Sequence, residues 1–194
     1  ETSEVGKEIL CQILDNAALA RDQKLPLCQD TGLAVVFVEL GQDVHLVGGD
    51  LETAVNEGVR RGYINGYLRK SSLDPVKREN YGDNTPAIIH IEIVPGDTLK
   101  LSVATKGFGA ENMSEVVLFP PATGIDGIKR FVIERVEKAG ANACPPVIVG
   151  IGLGGNLEKA ALIAKKSLLR PLGVRHPDPE IARIEEDILT EINK

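Results

Sequence analysis

Four stretches of the chain carry apolar residues three and four positions apart, and a fifth helix is expected after a glycine-rich turn. Residues at this spacing lie on one face of a helix, so each stretch predicts an amphipathic helix. Asp50 is the expected N-cap of the second helix, and Gly140 is the expected end of the third. The last helix carries an isoleucine stripe that needs a packing partner. The five predicted helices are residues 4–20, 51–70, 125–139, a helix that starts near Asn156, and 178–194.

Other stretches predict strands. Residues 34–40 are almost all apolar, as in a buried strand, and we expect them to form a hairpin with residues 44–47. Residues 86–94 and 99–103 alternate between apolar and polar positions, and the short turn at 95–97 predicts a second antiparallel hairpin. The mixture predicts an α+β fold with helices packed on mixed sheets, forming one domain over residues 1–194.

Composition and charge exclude several classes of protein. The chain has 194 residues, of which 43% are hydrophobic, so it can bury a substantial core. A net charge of −6 argues against a nucleic-acid surface and against binding to an anionic membrane. No apolar run approaches the roughly 20 residues of a membrane span. Three cysteines without a close pair favour reduced thiols over disulfides, which suggests a cytoplasmic protein.

The most reactive stretch is Cys28-Gln29-Asp30-Thr31-Gly32, which lies between Pro26 and the first predicted strand. A thiol, an amide, a carboxylate and a hydroxyl in consecutive positions suggest a loop that presents polar groups at the mouth of a buried strand. The alternative is a tight turn in which Asp30 and Thr31 bind local backbone groups and Cys28 is a small buried residue.

A second cysteine occupies a similar position. Cys144 precedes Pro145-Pro146, and the apolar residues 147–151 after them predict a strand. Two thiols in a reducing compartment suit iron–sulfur or zinc chemistry, although two structural cysteines remain possible on spacing alone. A zinc hydrolase is disfavoured, because the three histidines form no clustered pair.

The segment from Gly150 to Gly155 formally matches a dinucleotide-binding glycine pattern. The second parallel strand with an acidic end, which a nucleotide fold requires, is missing from the residues that follow. We therefore interpret the segment as a glycine-rich turn into a helix capped by Asn156. A non-catalytic module that binds an anion at this turn is the alternative to an enzyme.

Four motifs together carry a resemblance that covers essentially the whole chain. The sequence resembles the α-subunit, or N-terminal iron–sulfur domain, of class I fumarate hydratases and the related L-tartrate dehydratases. The resemblance implies an oxygen-sensitive [4Fe–4S] cluster with one open iron that acts as a Lewis acid in the reversible hydration of fumarate to malate, a reaction of the tricarboxylic acid cycle. The motifs are Cys28–Gly32, Lys106–Asn112, Ala143–Pro146 and Gly150–Arg170.

The resemblance also implies roles for individual residues. Cys28 and Cys144 match two of the three cluster ligands. Gln29 and Asp30 match residues that contact the substrate, and Asp30 is the expected catalytic group. Arg69 matches an arginine that pairs with a substrate carboxylate, and the backbone N–H of Gly109 matches a donor to the substrate. The loop Gly109–Asn112 looks closer to that of fumarases than to that of tartrate dehydratases, so fumarate is the expected substrate.

This chain departs from the family pattern at the third cluster ligand. The family's third cysteine lies in a later stretch, and Cys11 does not match it, so we expect a subunit truncated at its C-terminus with an absent or labile cluster. The family's general base, a threonine, belongs to the β-subunit or C-terminal domain. We therefore expect a homo- or hetero-oligomer that is active on a small dicarboxylate only with that partner. A tartrate dehydratase α-subunit is the alternative.

Overall fold

The structure, a computed structural model, describes residues 3–194 and divides the chain into two compact units. The first unit ends at Gly107 and the second runs from Phe108 to Lys194. The single domain over residues 1–194 stays a prediction. Both helices and strands are present, in agreement with the α+β prediction. Among residues 3–194, no helix is both long enough and apolar enough to cross a membrane.

A three-stranded mixed sheet forms the centre of the first unit. Strand β1 (Leu33–Gly41) lies in the middle, parallel to β2 (Ile88–Val94) and antiparallel to β3 (Leu99–Lys106). Five consecutive residues of β1, Ala34 to Val38, are buried. The prediction of a buried strand at 34–40 is therefore confirmed, and this strand carries most of the unit's buried apolar side chains.

Both predicted hairpins are wrong in their pairing. Residues 44–47 form no strand. Residues 88–94 and 99–106 do form strands, but β1 lies between them, so β2 and β3 do not pair with each other. The antiparallel pair in this sheet joins β1 to β3 instead. Two neighbouring strands are about 4.8 Å apart, so the link at 95–98 must span about twice that distance.

Gly41 allows this link to cross the end of β1. The Gly41 N–H donates to the Thr98 carbonyl (2.8 Å), and the Asp43 N–H donates to the Gly96 carbonyl (2.9 Å). A Cβ atom on Gly41 would lie only 2.5 Å from the Gly96 carbonyl oxygen. The close approach of the two backbones therefore requires glycine at this position.

Two helices complete the first unit. Helix α1 (Glu4–Gln23) begins at Ser3, and none of its residues is buried in the described part of the chain. Helix α2 (Leu51–Asn65) begins at the predicted cap Asp50, whose carboxylate accepts from the Thr53 N–H (2.8 Å), and ends earlier than predicted. An apolar groove of about 760 Å³ is lined by α2, the loop before it and one face of the sheet. Its apolar lining includes Val36, Leu46, Val59, Leu101 and Val103.

The second unit is helical, with four α-helices and two short 3-10 turns, Pro121–Thr123 and Gly140–Ala143. Val132 and Ile188 are buried where the fourth and sixth helices pack, and Lys129 pairs with Asp187 (2.6 Å). The isoleucine stripe of the last helix thus has a partner within its own unit. The helices are α3 (Phe108–Glu111), α4 (Gly124–Ala139), α5 (Leu157–Ser167) and α6 (Pro179–Ile192).

The glycine pattern after Cys144 lies against helix α5. Residues 147–151 form no strand, which corrects the prediction. A Cβ on Gly150 would lie 2.4 Å from the Ala164 carbonyl oxygen, and one on Gly152 would lie 2.0 Å from that of Ala160. These two glycines therefore let an extended segment pack directly on the helix backbone. Asn156 caps α5 as predicted, accepting from the Lys159 N–H (3.0 Å).

Gly41→Ala should destabilise the protein by roughly 1–3 kcal/mol, because the added methyl group overpacks the link against β1. Gly58→Ala is the matched control, since Gly58 lies inside α2 and a Cβ there meets nothing within 4 Å. Because alanine favours helix, the control should stabilise the protein by up to about 1 kcal/mol. Urea unfolding of both variants measures the two effects. Equal stability of Gly41→Ala and wild type would contradict the crossing geometry.

Candidate active site

The loop with Cys28 lies between α1 and β1 in the first unit, and its thiol is exposed. A cavity of about 450 Å³ adjoins the loop. Three of the predicted site residues, Cys28, Gln29 and Arg69, line this one cavity. Arg69 is 41 positions from Cys28 in the sequence, so the fold brings the predicted carboxylate-binding group beside the predicted metal ligand. The other lining residues are Leu25, Pro26, Thr31 and Tyr67.

One hydrogen bond joins the Cys28 loop to the backbone at Arg69, and another joins the loop to α2. The Thr31 hydroxyl donates to the Arg69 carbonyl (2.7 Å), and the Tyr63 hydroxyl donates to the Thr31 carbonyl (3.1 Å). Tyr63 is buried, and burial raises the pKa of its hydroxyl, so it stays protonated and able to donate at neutral pH. Tyr63 was not predicted to support the site, and Thr31 was predicted only as part of the polar loop.

Asp30 lies at the start of β1, close to the end of β3. Its carboxylate accepts from the Gly32 N–H (3.2 Å), and a Cβ on Gly107 would lie 3.0 Å from Asp30 Oδ2. Gly32 has φ +59°, and a Cβ there would lie 1.9 Å from the Lys106 carbonyl oxygen. The turn interpretation of this stretch is thus correct for the Asp30 side chain, while Cys28 is exposed rather than buried.

In the second unit, the structure brings Gly109 and Cys144 together. A Cβ on Gly109 would lie 3.1 Å from Cys144 Sγ, so glycine keeps one side of the sulfur uncovered. Cys144 is exposed and has a left-handed backbone (φ +57°) directly before two prolines. Glu111 pairs with Lys165, which ties α3 and the Gly109 backbone to α5.

The described residues contain no complete metal site within either unit. No three His, Cys, Asp or Glu side chains of a unit are close enough to hold an ion, as judged over residues 3–194. The first unit offers the exposed thiols of Cys11 and Cys28, and the second offers that of Cys144. Cys11 lies on α1 and does not line the Cys28 cavity.

A sequence model of one family, described as fumarate hydratase (Fumerase), matches residues 1–194. The chain belongs to the fumarate hydratase family. This agrees with the resemblance of its four motifs. Members of this family are hydro-lyases. The resemblance implies an iron–sulfur cluster, and the exposed thiols and the uncovered side of the Cys144 sulfur have the donor chemistry that such a cluster would need.

Curated relatives cover nearly all of this chain. The putative L(+)-tartrate dehydratase subunit alpha of Methanocaldococcus jannaschii is 39% identical over 199 residues, which is 100% of this chain and 70% of that protein. The L(+)-tartrate dehydratase subunit alpha of Escherichia coli O157:H7 is 35% identical over 189 residues, which is 95% of this chain and 62% of that protein. The chain therefore spans between 62% and 70% of the length of these two relatives.

Asp83, in the loop after Arg69, links that loop to α2. Its carboxylate accepts from Arg60 Nε (2.9 Å) and from the Thr85 hydroxyl (2.7 Å). The hydrogen bond from Arg60, then those from Thr85, lower the pKa of Asp83 from 3.8 to about 2. The folded state therefore binds this proton more weakly than the unfolded state does. The resulting stabilisation is present above pH 3.8 and is lost as the pH falls through about 2.

Asp83→Asn should lower the free energy of unfolding at pH 7 by roughly 1–2 kcal/mol, because it removes a charged acceptor. The difference from wild type should shrink between pH 3.8 and about 2, where wild-type Asp83 takes up its proton. Urea unfolding across this range measures both effects. Arg60→Gln is the matched control, because it removes the partner that contributes most to the shift and should reduce the same pH dependence. A constant difference at all pH values would contradict this role.

Proposed function

We propose that this chain is the α-subunit part of a [4Fe–4S]-dependent hydro-lyase that hydrates fumarate to malate reversibly. The observation that carries the proposal is the cavity that Cys28, Gln29 and Arg69 share in the first unit. A soft metal ligand and a guanidinium group around one cavity suit a substrate with a carboxylate next to its reacting carbon. A reducing compartment such as the cytoplasm would keep the thiols available.

Cys28 and Cys144 would hold the cluster, together with a third thiolate supplied from outside residues 1–194. A bound cluster would supply Lewis acidity toward the hydroxyl group that is added or lost. The uncovered side of the Cys144 sulfur next to Gly109 supports this assignment, because a bulkier residue at position 109 would crowd the ligand atom.

The chain's own polar groups would bind and orient the substrate. Arg69 would bind one carboxylate through two parallel hydrogen bonds from its guanidinium group, a geometry that lysine cannot supply. Gln29 would contact the same molecule from the neighbouring loop, and the N–H of Gly109 would donate to it. Asp30 would orient the hydroxyl group or move its proton, which requires hydrogen-bond reach.

A β-subunit or C-terminal domain would complete the enzyme as part of a homo- or hetero-oligomer. The relatives are named alpha subunits, which favours a partner of this kind. The first unit has unpartnered apolar surface on α1 and in the apolar groove, and surface of this kind is typical of protein interfaces. The general base implied by the family resemblance would come from that partner, so the chain alone should lack turnover.

Tartrate is the second candidate substrate, because the relatives are named tartrate dehydratase subunits. We still propose fumarate, because the sequence of the loop Gly109–Asn112 looks closer to that of fumarases. Both substrates are four-carbon dicarboxylates, so the binding roles above apply to either one. Turnover of the assembled enzyme on fumarate, malate and L-tartrate distinguishes them. A higher kcat/KM on tartrate than on both others would replace the fumarate proposal.

Anaerobic reconstitution of the full-length subunit with iron and sulfide tests the cluster. We expect iron and sulfide to bind with a visible absorption band, and the band to be lost in Cys28→Ala and Cys144→Ala, because each change removes a proposed ligand. Cys11→Ala is the matched control, as it removes an exposed thiol that lies on α1. If wild type binds no iron, or if Cys11→Ala behaves like the other two variants, the ligand assignment is wrong. The anion-binding module would then become the better proposal.

Asp30→Asn should cut turnover of the assembled enzyme at least about 100-fold, the usual range for loss of an acid–base group. The visible spectrum and iron content should stay as in wild type, because Asp30 is not a proposed ligand. Asp43→Asn, at an exposed turn after β1, is the control and should leave turnover within about twofold of wild type, as distant surface changes usually do. An unchanged rate in Asp30→Asn would remove this residue from the mechanism.

A further inference from the structure

Asn84 is fully buried in the loop that connects Arg69 to β2. Its exposed fraction is 0%, and its backbone is left-handed, with φ +62°. Asparagine tolerates this conformation better than most residues other than glycine. A buried amide without hydrogen bonds would cost stability, so its partners define what this residue does.

The amide of Asn84 joins two separate segments. Its Oδ1 accepts from the backbone N–H groups of Ser71 (2.6 Å) and Ser72 (2.9 Å), which follow Arg69 closely. Its Nδ2 donates to the Gly32 carbonyl (3.1 Å), at the end of the Cys28 loop. One side chain thus bridges the segment that carries Arg69 and the segment that carries Cys28 and Gln29.

The neighbours of Asn84 are themselves held by helix α2. Asp83 accepts from Arg60, and the Ala87 N–H donates to Asn56 Oδ1 (2.8 Å). Since Arg60 and Asn56 both belong to α2, the bridge has a rigid support on either side. Tyr63, from the same helix, provides a second tie through its hydrogen bond to the Thr31 carbonyl.

We propose that Asn84, supported by the Tyr63 hydroxyl, is a positioning residue that sets the distance between Arg69 and the Cys28–Gln29 loop. The effect of Asn84 on catalysis rests on the proposed function, whereas the hydrogen-bonded bridge does not. Asn84 does not line the Cys28 cavity and would not touch the substrate. It acts through Arg69 and Gln29, whose spacing has to match one dicarboxylate.

Two variants of Asn84 separate the arms of the bridge. Asn84→Asp keeps the acceptor for Ser71 and Ser72 but loses the donor to Gly32. Asn84→Gly removes the hydrogen bonds to both segments, and glycine tolerates the positive φ of this position. The matched control is Ser72→Ala, since the Ser72 hydroxyl is buried in the same loop and donates to the Thr85 carbonyl (2.9 Å) rather than to residues 28–32.

Hydrogen exchange of the assembled enzyme, followed by mass spectrometry, measures how well the bridge protects nearby backbone amides and does not depend on activity. In Asn84→Asp, we expect a peptide spanning residues 27–33 to exchange several-fold faster, while one spanning 69–74 stays unchanged. In Asn84→Gly, both peptides should exchange faster. Ser72→Ala should change neither the 27–33 peptide nor the substrate affinity.

Kinetics give the second readout. Both Asn84 variants should lose about 100-fold in kcat/KM, the scale expected for a displacement of about 1 Å in a positioned group. A large part of the loss should be a raised KM, because the displaced Arg69 and Gln29 bind substrate. Ser72→Ala should stay within about threefold of wild type, because it removes only the Ser72 hydroxyl and keeps the backbone N–H that donates to Asn84.

The outcomes separate the inference from the function on which it rests. If both Asn84 variants match Ser72→Ala in exchange and in KM, the positioning role is overturned. If wild type binds no iron and has no turnover but the exchange pattern is as expected, the proposed function fails and the bridge stands. If both Asn84 variants fail to fold, Tyr63→Phe removes only the hydroxyl tie. Unchanged exchange at 27–33 in Tyr63→Phe would then overturn the proposal.

Discussion

Strand β1 needs hydrogen-bond partners on both edges, and this requirement organises the first unit. A central strand with five consecutive buried residues cannot leave either edge in an apolar environment without a partner. The parallel strand β2 and the antiparallel strand β3 satisfy the two edges. At its N-terminal end, β1 places the Cys28 loop beside the end of β3. At its C-terminal end, it forces the backbone link between β2 and β3 to cross at Gly41.

Beyond the ends of the strands, hydrogen bonds from polar side chains hold the backbone segments that form the site. Residues 66–87 form no regular strand or helix, and side chains accept hydrogen bonds from several of the backbone N–H groups in this segment. Asn84, Thr31 and Tyr63 bind the backbone of the Cys28 loop and of the residues at and after Arg69. Side chains that do not react therefore shape the cavity. Their hydrogen bonds fix the positions of the backbone segments that carry the reactive groups.

Local patterns predicted the local structure well. The apolar run 34–40 and the caps Asp50 and Asn156 were recognisable because each signal lies within a few residues of the element that it marks. The pairing of β2 with β3 was predicted wrongly, since alternation and a short turn look the same whether or not another strand lies between. Residues 147–151 predict a strand but form none, because an apolar run packed on a helix has the same composition as a buried strand. Asn84 escaped detection because its contact with Gly32 spans 52 positions.

The order of the strands also affects how the sheet can form during synthesis. The central strand is made first, and both of its partners lie more than 45 residues later in the chain. At about 5–20 residues per second, β1 waits for several seconds with its apolar run without partners. Contacts this distant in sequence form slowly even in the released chain. A nascent chain of this protein therefore exposes an unpaired apolar strand to the ribosome surface and to chaperones before the strand that packs beside the Cys28 loop has been made.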